Sequence, residues 1–296
     1  MVLPSYLNKG DTVAIIATAR KVSKEEIQPA VAFFESYGLS VVLGKNLFES
    51  SNQYAGTDTQ RTEDLQWALN DKTIKAIIIA RGGYGSVRTI EQIDFTEFKK
   101  HPKWMVGYSD VTVLHNAIHK IGVATLHATM PLNFTKNEEA TKSMVDALFG
   151  KLIQVETEEN YSNISGTAKG QLVGGNLSLI YSLSGTPFDI DTTNKILIIE
   201  DLDEYLYHID RMMMQLKLSG KLKKLKGLIV GGMTDMKDNA IPFGKFPEDI
   251  ILDAVKEYNY PVCFDFPAGH IDRNLAMYFG REVELTVSDN ATLKFL

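Results

Sequence analysis

The sequence predicts an α/β protein of two domains: an N-terminal domain built on a parallel sheet and a smaller C-terminal α/β domain. Three observations support this prediction. Short apolar runs alternate with amphipathic runs in the first half of the chain. A polar segment then interrupts the alternation, and apolar runs separated by helical patterns return after it. Strands that alternate with helices are typical of parallel sheets covered on both faces.

The N-terminal domain begins with the apolar run Thr12–Ala17, which we expect to be a buried strand. Ser23 and Glu26 have the spacing of a capping box, which predicts a helix start, and Gly38 lies where that helix should end. Pro29 falls inside the same helix, so we expect a kink or a later start.

The rest of the N-terminal domain repeats the alternation. Further strands are expected at Leu39–Leu43, Ile74–Ala80 and Trp104–Gly107, and further helices at Asp58–Leu69 and Val111–Ile121. This order predicts a flavodoxin-like sheet with helices on both faces.

The polar segment 156–169 is rich in Glu, Asn, Ser and Thr, and it is the predicted linker. The expected domains are therefore residues 1–155 and 170–296. In the second domain we expect strands at Lys195–Glu200, Gly227–Gly231, Val262–Phe266 and Val283–Val287, with helices at Tyr205–Leu218 and within Phe246–Tyr258.

Composition excludes several classes of partner. The formal net charge is −6, and the one basic run, Lys221 to Lys226, fits a solvated turn, so we expect no nucleic-acid partner. Cys263 is the single cysteine and cannot form an internal disulfide. Residues 1–10 lack a leader pattern, and no run approaches about 18 apolar residues. We therefore expect a cytoplasmic protein with no membrane partner.

The first candidate site lies at Gly107–Asp110, where a predicted strand runs through Ser109 directly into a predicted helix. A serine in this position is typical of a nucleophile elbow, although Val111 stands where a second glycine is usual. The backbone N–H of Asp110 is then a candidate oxyanion-hole donor. From these residues alone, the better explanation is that Ser109 or Asp110 only caps the helix.

The second candidate is the glycine loop, Arg81–Gly85, which follows the strand Ile74–Ala80. Ligands of open α/β sheets bind at this end of the strands. Gly83 is the candidate second oxyanion donor, with Gly82 as the alternative. A tight turn without any ligand explains these glycines equally well, and the spacing does not match a dinucleotide-binding loop.

A serine nucleophile needs a base and an acid that orients it. His270 lies in a loop after a predicted strand, and Glu200 ends another. Asp201, Asp203 and Glu204 follow closely, so the residues alone do not select the acid; these carboxylates could also complement a helix N-terminus, and His270 could be a surface residue. His115 and His119 have a spacing that can bind zinc, but packing is the better explanation and no metal is predicted.

Taken together, these stretches resemble the serine LD-carboxypeptidase family, which includes muramoyltetrapeptide carboxypeptidases and microcin-immunity peptidases. The matching stretches, in chain order, are Gly10–Val13, Arg81–Gly85, Gly107–Asp110, Gly174–Leu177, Ile199–Asp201, Ile209–Met212 and Ala268–His270. One such motif would be weak evidence, but an ordered set that spans nearly the whole chain is specific.

The resemblance implies a Ser–His–Glu triad in which Ser109 is the nucleophile, His270 the base and Glu200 the acid that orients it. Because these residues come from different domains, it also implies an active site between them. It further implies a cofactor-free, metal-independent homodimer that releases terminal D-alanine from murein tetrapeptides during cell-wall recycling. One departure is Ala128-Thr129 after His127, where we expect Gly-Pro; this concerns the shape of the pocket rather than the triad.

A peptide substrate's terminal carboxylate would require a cation, and Arg81 and Arg88 are the candidates because they lie beside the glycines of this loop. A purely structural role at the surface explains either arginine at least as well. Asn176 is a third predicted substrate-binding residue. The nearest alternative function is a microcin-immunity-type peptidase or amidase that acts on peptidyl- or aminoacyl-nucleotides. A non-catalytic two-domain binding protein and a zinc hydrolase that uses His115 and His119 are the alternatives from other classes.

Overall fold

In the computed structural model, which describes residues 1–296, the chain folds around two separate sheets. One unit comprises residues 1–152 and 275–280, and the other comprises residues 153–274 and 281–296. The two-domain α/β class predicted from the sequence is confirmed. None of the helices combines the length and the apolar character that a membrane crossing requires.

The chain contains thirteen strands and eight α-helices. The strands are β1 (Thr12–Ile16), β2 (Ser40–Leu43), β3 (Ile74–Ile79), β4 (Trp104–Gly107), β5 (Thr125–His127), β6 (Gln154–Glu156), β7 (Gly166–Asn176), β8 (Ile196–Leu202), β9 (Gly227–Thr234), β10 (Val262–Cys263), β11 (Met277–Phe279), β12 (Glu282–Val287) and β13 (Ala291–Phe295). The helices are α1 (Lys24–Ser36), α2 (Asp58–Asn70), α3 (Thr96–Lys100), α4 (Thr112–Lys120), α5 (Glu138–Leu148), α6 (Leu177–Ser182), α7 (Leu206–Leu218) and α8 (Pro247–Val255).

The first sheet has the strand order β2-β1-β3-β4-β5, with all five strands parallel, and β11 adds an antiparallel edge beside β5. This is the flavodoxin-like order, so that prediction is confirmed. Because β3 and β4 are parallel neighbours, the glycine loop after β3 and the serine segment after β4 leave the same edge of the sheet.

Local sequence signals explain where the N-terminal helices begin. The Ser23 hydroxyl accepts the Glu26 N–H at 3.3 Å, and the Glu26 carboxylate accepts the Ser23 N–H at 2.8 Å. The helix α1 therefore begins at Lys24, and Pro29 does not delay its start. A second capping box, between Thr57 and Gln60, starts α2 and was not predicted.

The second sheet is mixed, with the order β10-β9-β8-β7-β12-β13-β6. Its strands β7 to β10 are parallel, whereas β12, β13 and β6 are antiparallel additions. Buried apolar side chains of β8 and β9 pack with those of α7 and α8 to form the core of this unit. Glycine-rich β7 carries no hydrophobic alternation, which is why the sequence did not predict it.

The observed units differ from the predicted domains in two places. Residues 275–280 belong to the first unit because β11 pairs with β5, so residues 170–296 do not form one continuous domain. The segment 156–169, predicted as a linker, contains the last residue of β6 and the start of β7, and both strands pair within the second sheet.

Gly174 carries a specific prediction about the second sheet. Its φ is +140°, and an added Cβ would lie 1.9 Å from the carbonyl oxygen of Ile198, its partner residue on β8. We expect Gly174→Ala to lower the free energy of unfolding by at least about 3 kcal/mol, measured from the midpoint of urea unfolding. Gly220→Ala is the control for a positive φ alone, because its φ is +77° and its Cβ would meet nothing within 4 Å; it should cost about 1 kcal/mol. Equal losses for the two variants would contradict the packing described for β7 and β8.

Candidate active site

Ser109 lies on a sharp turn between β4 and the helical segment that follows it. Its φ is +63°, a left-handed conformation that residues other than glycine rarely adopt. A one-turn 3-10 helix, Ser109–Val111, leads directly into α4, and the serine is 9% exposed. A serine held in this conformation between a strand and a helix has the geometry expected of a nucleophile elbow.

The glycine loop packs directly against this serine. A Cβ on Gly82 would lie 2.9 Å from both Cβ and Oγ of Ser109, so a side chain at position 82 would collide with the hydroxyl. The N–H groups of Gly82 and Gly83 donate to no acceptor within the chain. The loop therefore brings unengaged backbone donors close to the serine, as an oxyanion hole requires.

The Asp110 side chain joins the elbow to the segment that follows the glycine loop. Its carboxylate accepts the Ser86 N–H at 2.8 Å, and the Ser86 hydroxyl is 2.8 Å from that of Thr18. Burial raises the pKa of Asp110, and the hydrogen bonds to its carboxylate oppose that effect. Because Asp110 binds Ser86 rather than an N–H of its own helix, the alternative in which Asp110 serves only as a helix cap does not apply.

In the C-terminal unit, Glu200 and His270 form a direct pair. The Nδ1 atom of His270 lies 2.7 Å from Oε2 of Glu200, and the backbone N–H of His270 donates to the same oxygen at 3.2 Å. Glu200 is fully buried near the end of β8. Gly269 makes this approach possible, since its φ is +99° and an added Cβ would lie 2.5 Å from Oε2 of Glu200.

The charge of Glu200 controls the protonation of its partner. Burial lowers the pKa of His270, but the adjacent Glu200 carboxylate outweighs burial, so the pKa lies above its ordinary value. A carboxylate that accepts the Nδ1 proton also fixes the tautomer, which directs the lone pair of a neutral imidazole to Nε2. This is the arrangement that orients a general base.

The structure distinguishes among the four neighbouring acids. Asp201 accepts hydrogen bonds from the Asn176 side chain at 2.9 Å and from the Ser178 N–H at 2.8 Å. Asp203 pairs with Lys237, and Glu204 pairs with His208, each at 2.6 Å. Of these four acids, Glu200 is the one that binds the His270 ring. Burial, and then the charge of Glu200, raise the pKa of Asp201 to about 7.

The predicted substrate-binding residues have structural partners. Asn176 caps α6 by accepting the Leu179 N–H at 3.2 Å, in addition to its bond with Asp201. Arg88 forms a salt bridge with Asp58 at 2.8 Å, and Arg81 donates one hydrogen bond to the Lys21 carbonyl at 3.3 Å. Substrate binding by these three residues stays a prediction.

The two histidines with zinc-binding spacing and the single cysteine have partners or surroundings of their own. His115 places Nε2 3.0 Å from the Gly107 carbonyl, and His119 places Nε2 3.1 Å from the Thr125 hydroxyl. No group of three or more His, Cys, Asp or Glu side chains lies close enough together to hold a metal ion. Cys263 is buried, and burial raises the pKa of its thiol to about 12.

The structure thus places Ser109, the glycines of the loop and Asp110 together in the N-terminal unit, and Glu200 with His270 in the C-terminal unit. Sequence reasoning did not assign roles to Ser86, Thr18 or Gly269. Gly269 could have been recognised, because it directly precedes His270 in a matching motif. Thr18 and Ser86 are 68 residues apart in the sequence and meet only after folding, so no local sequence pattern indicates their contact.

The Glu200–His270 pair predicts a specific titration. In NMR spectra, His270 should titrate above its ordinary pKa of 6.5, because the Glu200 charge stabilises the imidazolium. We expect Glu200→Gln to lower the midpoint by about 1 to 3 pH units, since burial then acts without the opposing charge. Asp201→Asn is the control and should lower it less, because Asp201 acts on His270 only through its charge. An unchanged midpoint in Glu200→Gln would show that the two side chains do not interact.

Comparisons with known proteins identify the family of this chain. The model of the LD-carboxypeptidase N-terminal domain matches residues 13–128, and that of the C-terminal domain matches residues 169–285. A Bacillus subtilis protein named "probable murein peptide carboxypeptidase" is 37% identical over 303 residues, which cover 98% of this chain and 93% of that protein. The murein tetrapeptide carboxypeptidase of Pseudomonas aeruginosa is 26% identical over 285 residues, 92% of each chain.

Solved structures share the fold. The muramoyltetrapeptide carboxypeptidase from Oxalobacter formigenes aligns with a TM-score of 0.87 at 26% identity, over 96% of this chain and 98% of that one. The microcin C7 self-immunity protein MccF, solved with aspartyl sulfamoyl adenosine, aligns with a TM-score of 0.88 at 19% identity, over 100% and 99% of the two chains. The second likeness concerns the fold alone. Because the two domain models together match most of the sequence, this chain belongs to the LD-carboxypeptidase family.

Proposed function

We propose that this chain is a serine carboxypeptidase that hydrolyses the L,D peptide bond of murein tetrapeptides and releases the terminal D-alanine. The observation that carries the proposal is the hydrogen bond between His270 and the buried Glu200, which prepares an imidazole to act as a base. The left-handed conformation of Ser109 supports its role as the nucleophile. The names of the Bacillus and Pseudomonas relatives support the substrate class.

In the proposed mechanism, Nε2 of His270 accepts the hydroxyl proton of Ser109 as Oγ bonds to the scissile carbonyl carbon. The peptide C–N bond then breaks, and His270 returns the proton to the amine of the departing D-alanine. Water attacks the acyl-enzyme by the same route and regenerates the hydroxyl. The proposal requires His270 to come within hydrogen-bonding distance of Ser109.

The backbone N–H groups of Gly83 and Asp110 are the proposed oxyanion donors. Support for Gly83 comes from its unengaged N–H and from the packing of neighbouring Gly82 against Ser109. Support for Asp110 comes from its place in the first turn of a helix, where N–H groups lack intrahelical partners. Each donor of this kind contributes roughly 100- to 1,000-fold to the rate.

Two further expectations belong to this proposal: that the protein acts in the cytoplasm, where recycled cell-wall peptides would be its substrates, and that it is a homodimer. The single cysteine agrees with a reducing compartment. The homodimer rests on the family resemblance alone.

The proposal predicts the products of one reaction. Wild-type protein incubated with a murein tetrapeptide should remove one alanine, detected by mass spectrometry, and Ser109→Ala should lower the rate by at least about 1,000-fold because the acyl-enzyme cannot form. Ser182→Ala, which changes a serine whose hydroxyl donates to the Leu179 carbonyl, is the matched control and should retain full activity.

An aminoacyl-nucleotide amide incubated in parallel tests the microcin-immunity-type alternative. Cleavage of the nucleotide substrate without cleavage of the tetrapeptide would favour that alternative. Cleavage of the tetrapeptide by Ser109→Ala at the wild-type rate would overturn the assigned nucleophile.

A further inference from the structure

The proposed substrate ends in a carboxylate one residue beyond the scissile bond. A site that removes a single terminal residue needs a group close to the nucleophile that recognises this negative charge, and a guanidinium is well suited because it can donate two parallel hydrogen bonds. Three arginines border the glycine loop: Arg20, Arg81 and Arg88. Their contacts differ, and these contacts indicate which one is available.

Arg88 is already paired. Its Nε lies 3.1 and 3.0 Å from the two carboxylate oxygens of Asp58, and its Nη2 lies 2.8 Å from one of them. Asp58 also binds the buried Arg61. Hydrogen bonding to Arg88, opposed by burial, holds the pKa of Asp58 below its ordinary value, so this carboxylate stays ionised and occupies the fork of Arg88. A substrate carboxylate would have to displace it.

Arg81 is partly engaged with the chain segment that carries Arg20. Its Nη1 donates to the carbonyl oxygen of Lys21 at 3.3 Å. This bond ties the first residue of the glycine loop to the residue directly after Arg20. Arg81 is therefore placed to position that segment.

Arg20 has a fixed backbone and an unpaired side-chain tip. The carbonyl before it, of Ala19, accepts the Ala55 N–H at 3.0 Å, and the N–H after it, of Lys21, donates to the Gln53 carbonyl at 3.1 Å. These bonds form an antiparallel bridge between Arg20 and Tyr54. The guanidinium itself is exposed and makes no hydrogen bond or ion pair within the chain.

The stem of Arg20 lies over Gly83. A Cβ on Gly83 would lie 2.6 Å from Cγ, 2.7 Å from Cδ and 3.0 Å from Nε of Arg20, so the arginine occupies the space a side chain at position 83 would need. A Cβ on the preceding glycine, Gly82, would likewise lie 2.9 Å from the Ser109 hydroxyl oxygen. Two consecutive glycines therefore separate an unpaired cation from the serine.

We propose that Arg20 binds the terminal carboxylate of the peptide substrate, with Arg81 positioning the segment that carries it. This inference rests on the proposed function and adds the group that limits cleavage to the last residue. It differs from the assignment of Arg81 and Arg88 made from the sequence, because Arg88 is neutralised by Asp58. Loss of a charge-assisted bidentate contact should reduce kcat/KM by about 10- to 100-fold.

The test compares two substrates that differ only at the C-terminus: a murein tetrapeptide with a free carboxylate and the same peptide as a C-terminal amide. We expect the wild type to prefer the free acid by at least about tenfold in kcat/KM. In Arg20→Ala, the ratio of kcat/KM for the acid to kcat/KM for the amide should fall towards one. The fall should come mainly from a higher KM for the acid. Arg20→Lys should retain part of the preference, because the charge stays but the planar fork is lost.

Lys21→Ala is the matched control, since it removes the adjacent cation while leaving Arg20 and the carbonyl that binds Arg81. It should keep the wild-type preference. Circular dichroism establishes whether each variant is folded. If Arg20→Ala does not fold, Arg20→Gln serves as a second uncharged variant.

The outcomes separate this inference from the proposed function. If the wild type cleaves the acid and Arg20→Ala keeps the full preference, Arg20 is not the carboxylate-binding residue, whereas the proposed function stands. If the wild type cleaves both peptides equally, the site does not recognise a terminal carboxylate at all. If the wild type cleaves neither peptide, the proposed function is wrong and the role of Arg20 is wrong with it.

Discussion

The hydrogen bond between Glu200 and His270 is the interaction on which this account depends. Placing a carboxylate out of contact with water costs several kcal/mol unless hydrogen bonds replace its hydration. Two hydrogen bonds from His270, one from the ring Nδ1 and one from the backbone N–H, offset part of that cost for Glu200. Both bonds require the chain at Gly269 to pass so close to the carboxylate that no side chain fits there. The same contact raises the pKa of the imidazole and fixes its tautomer, so burial of one acid determines how the base behaves.

The N-terminal unit contributes a different kind of constraint. A left-handed serine costs about 1 kcal/mol in backbone strain, and the structure maintains it between β4 and the helical turn at Ser109–Val111. The Asp110 carboxylate then secures the segment after the glycine loop, which places unengaged N–H groups beside the hydroxyl. Backbone strain at Ser109 and the Asp110–Ser86 hydrogen bond thus both fix the surroundings of the serine hydroxyl. Preorganisation of this kind is what the proposed acyl transfer needs from this unit.

Much of this architecture could be predicted from short-range patterns. The alternation of apolar strands with amphipathic helices predicted the parallel sheet of the first unit, and the ordered motifs indicated the family. The return of 275–280 to the first sheet was not predictable, because β11 is three residues long and its pairing with β5 joins segments about 150 residues apart. The choice of Glu200 over its neighbours, and the pairing of Arg88 with Asp58, likewise depend on which side chains meet after folding. Such contacts leave no periodicity in the sequence, and the role proposed for Arg20 came only from its packing on Gly83.

The most direct test of the central claim follows covalent labelling of Ser109 by a serine-reactive phosphonate as a function of pH. If His270 held by Glu200 activates the serine, the labelling rate should rise with pH through the midpoint at which His270 titrates. Glu200→Gln should lower both that midpoint and the limiting rate, and His270→Gln should abolish the pH dependence. A labelling rate that is the same in wild type and His270→Gln across this pH range would contradict the account.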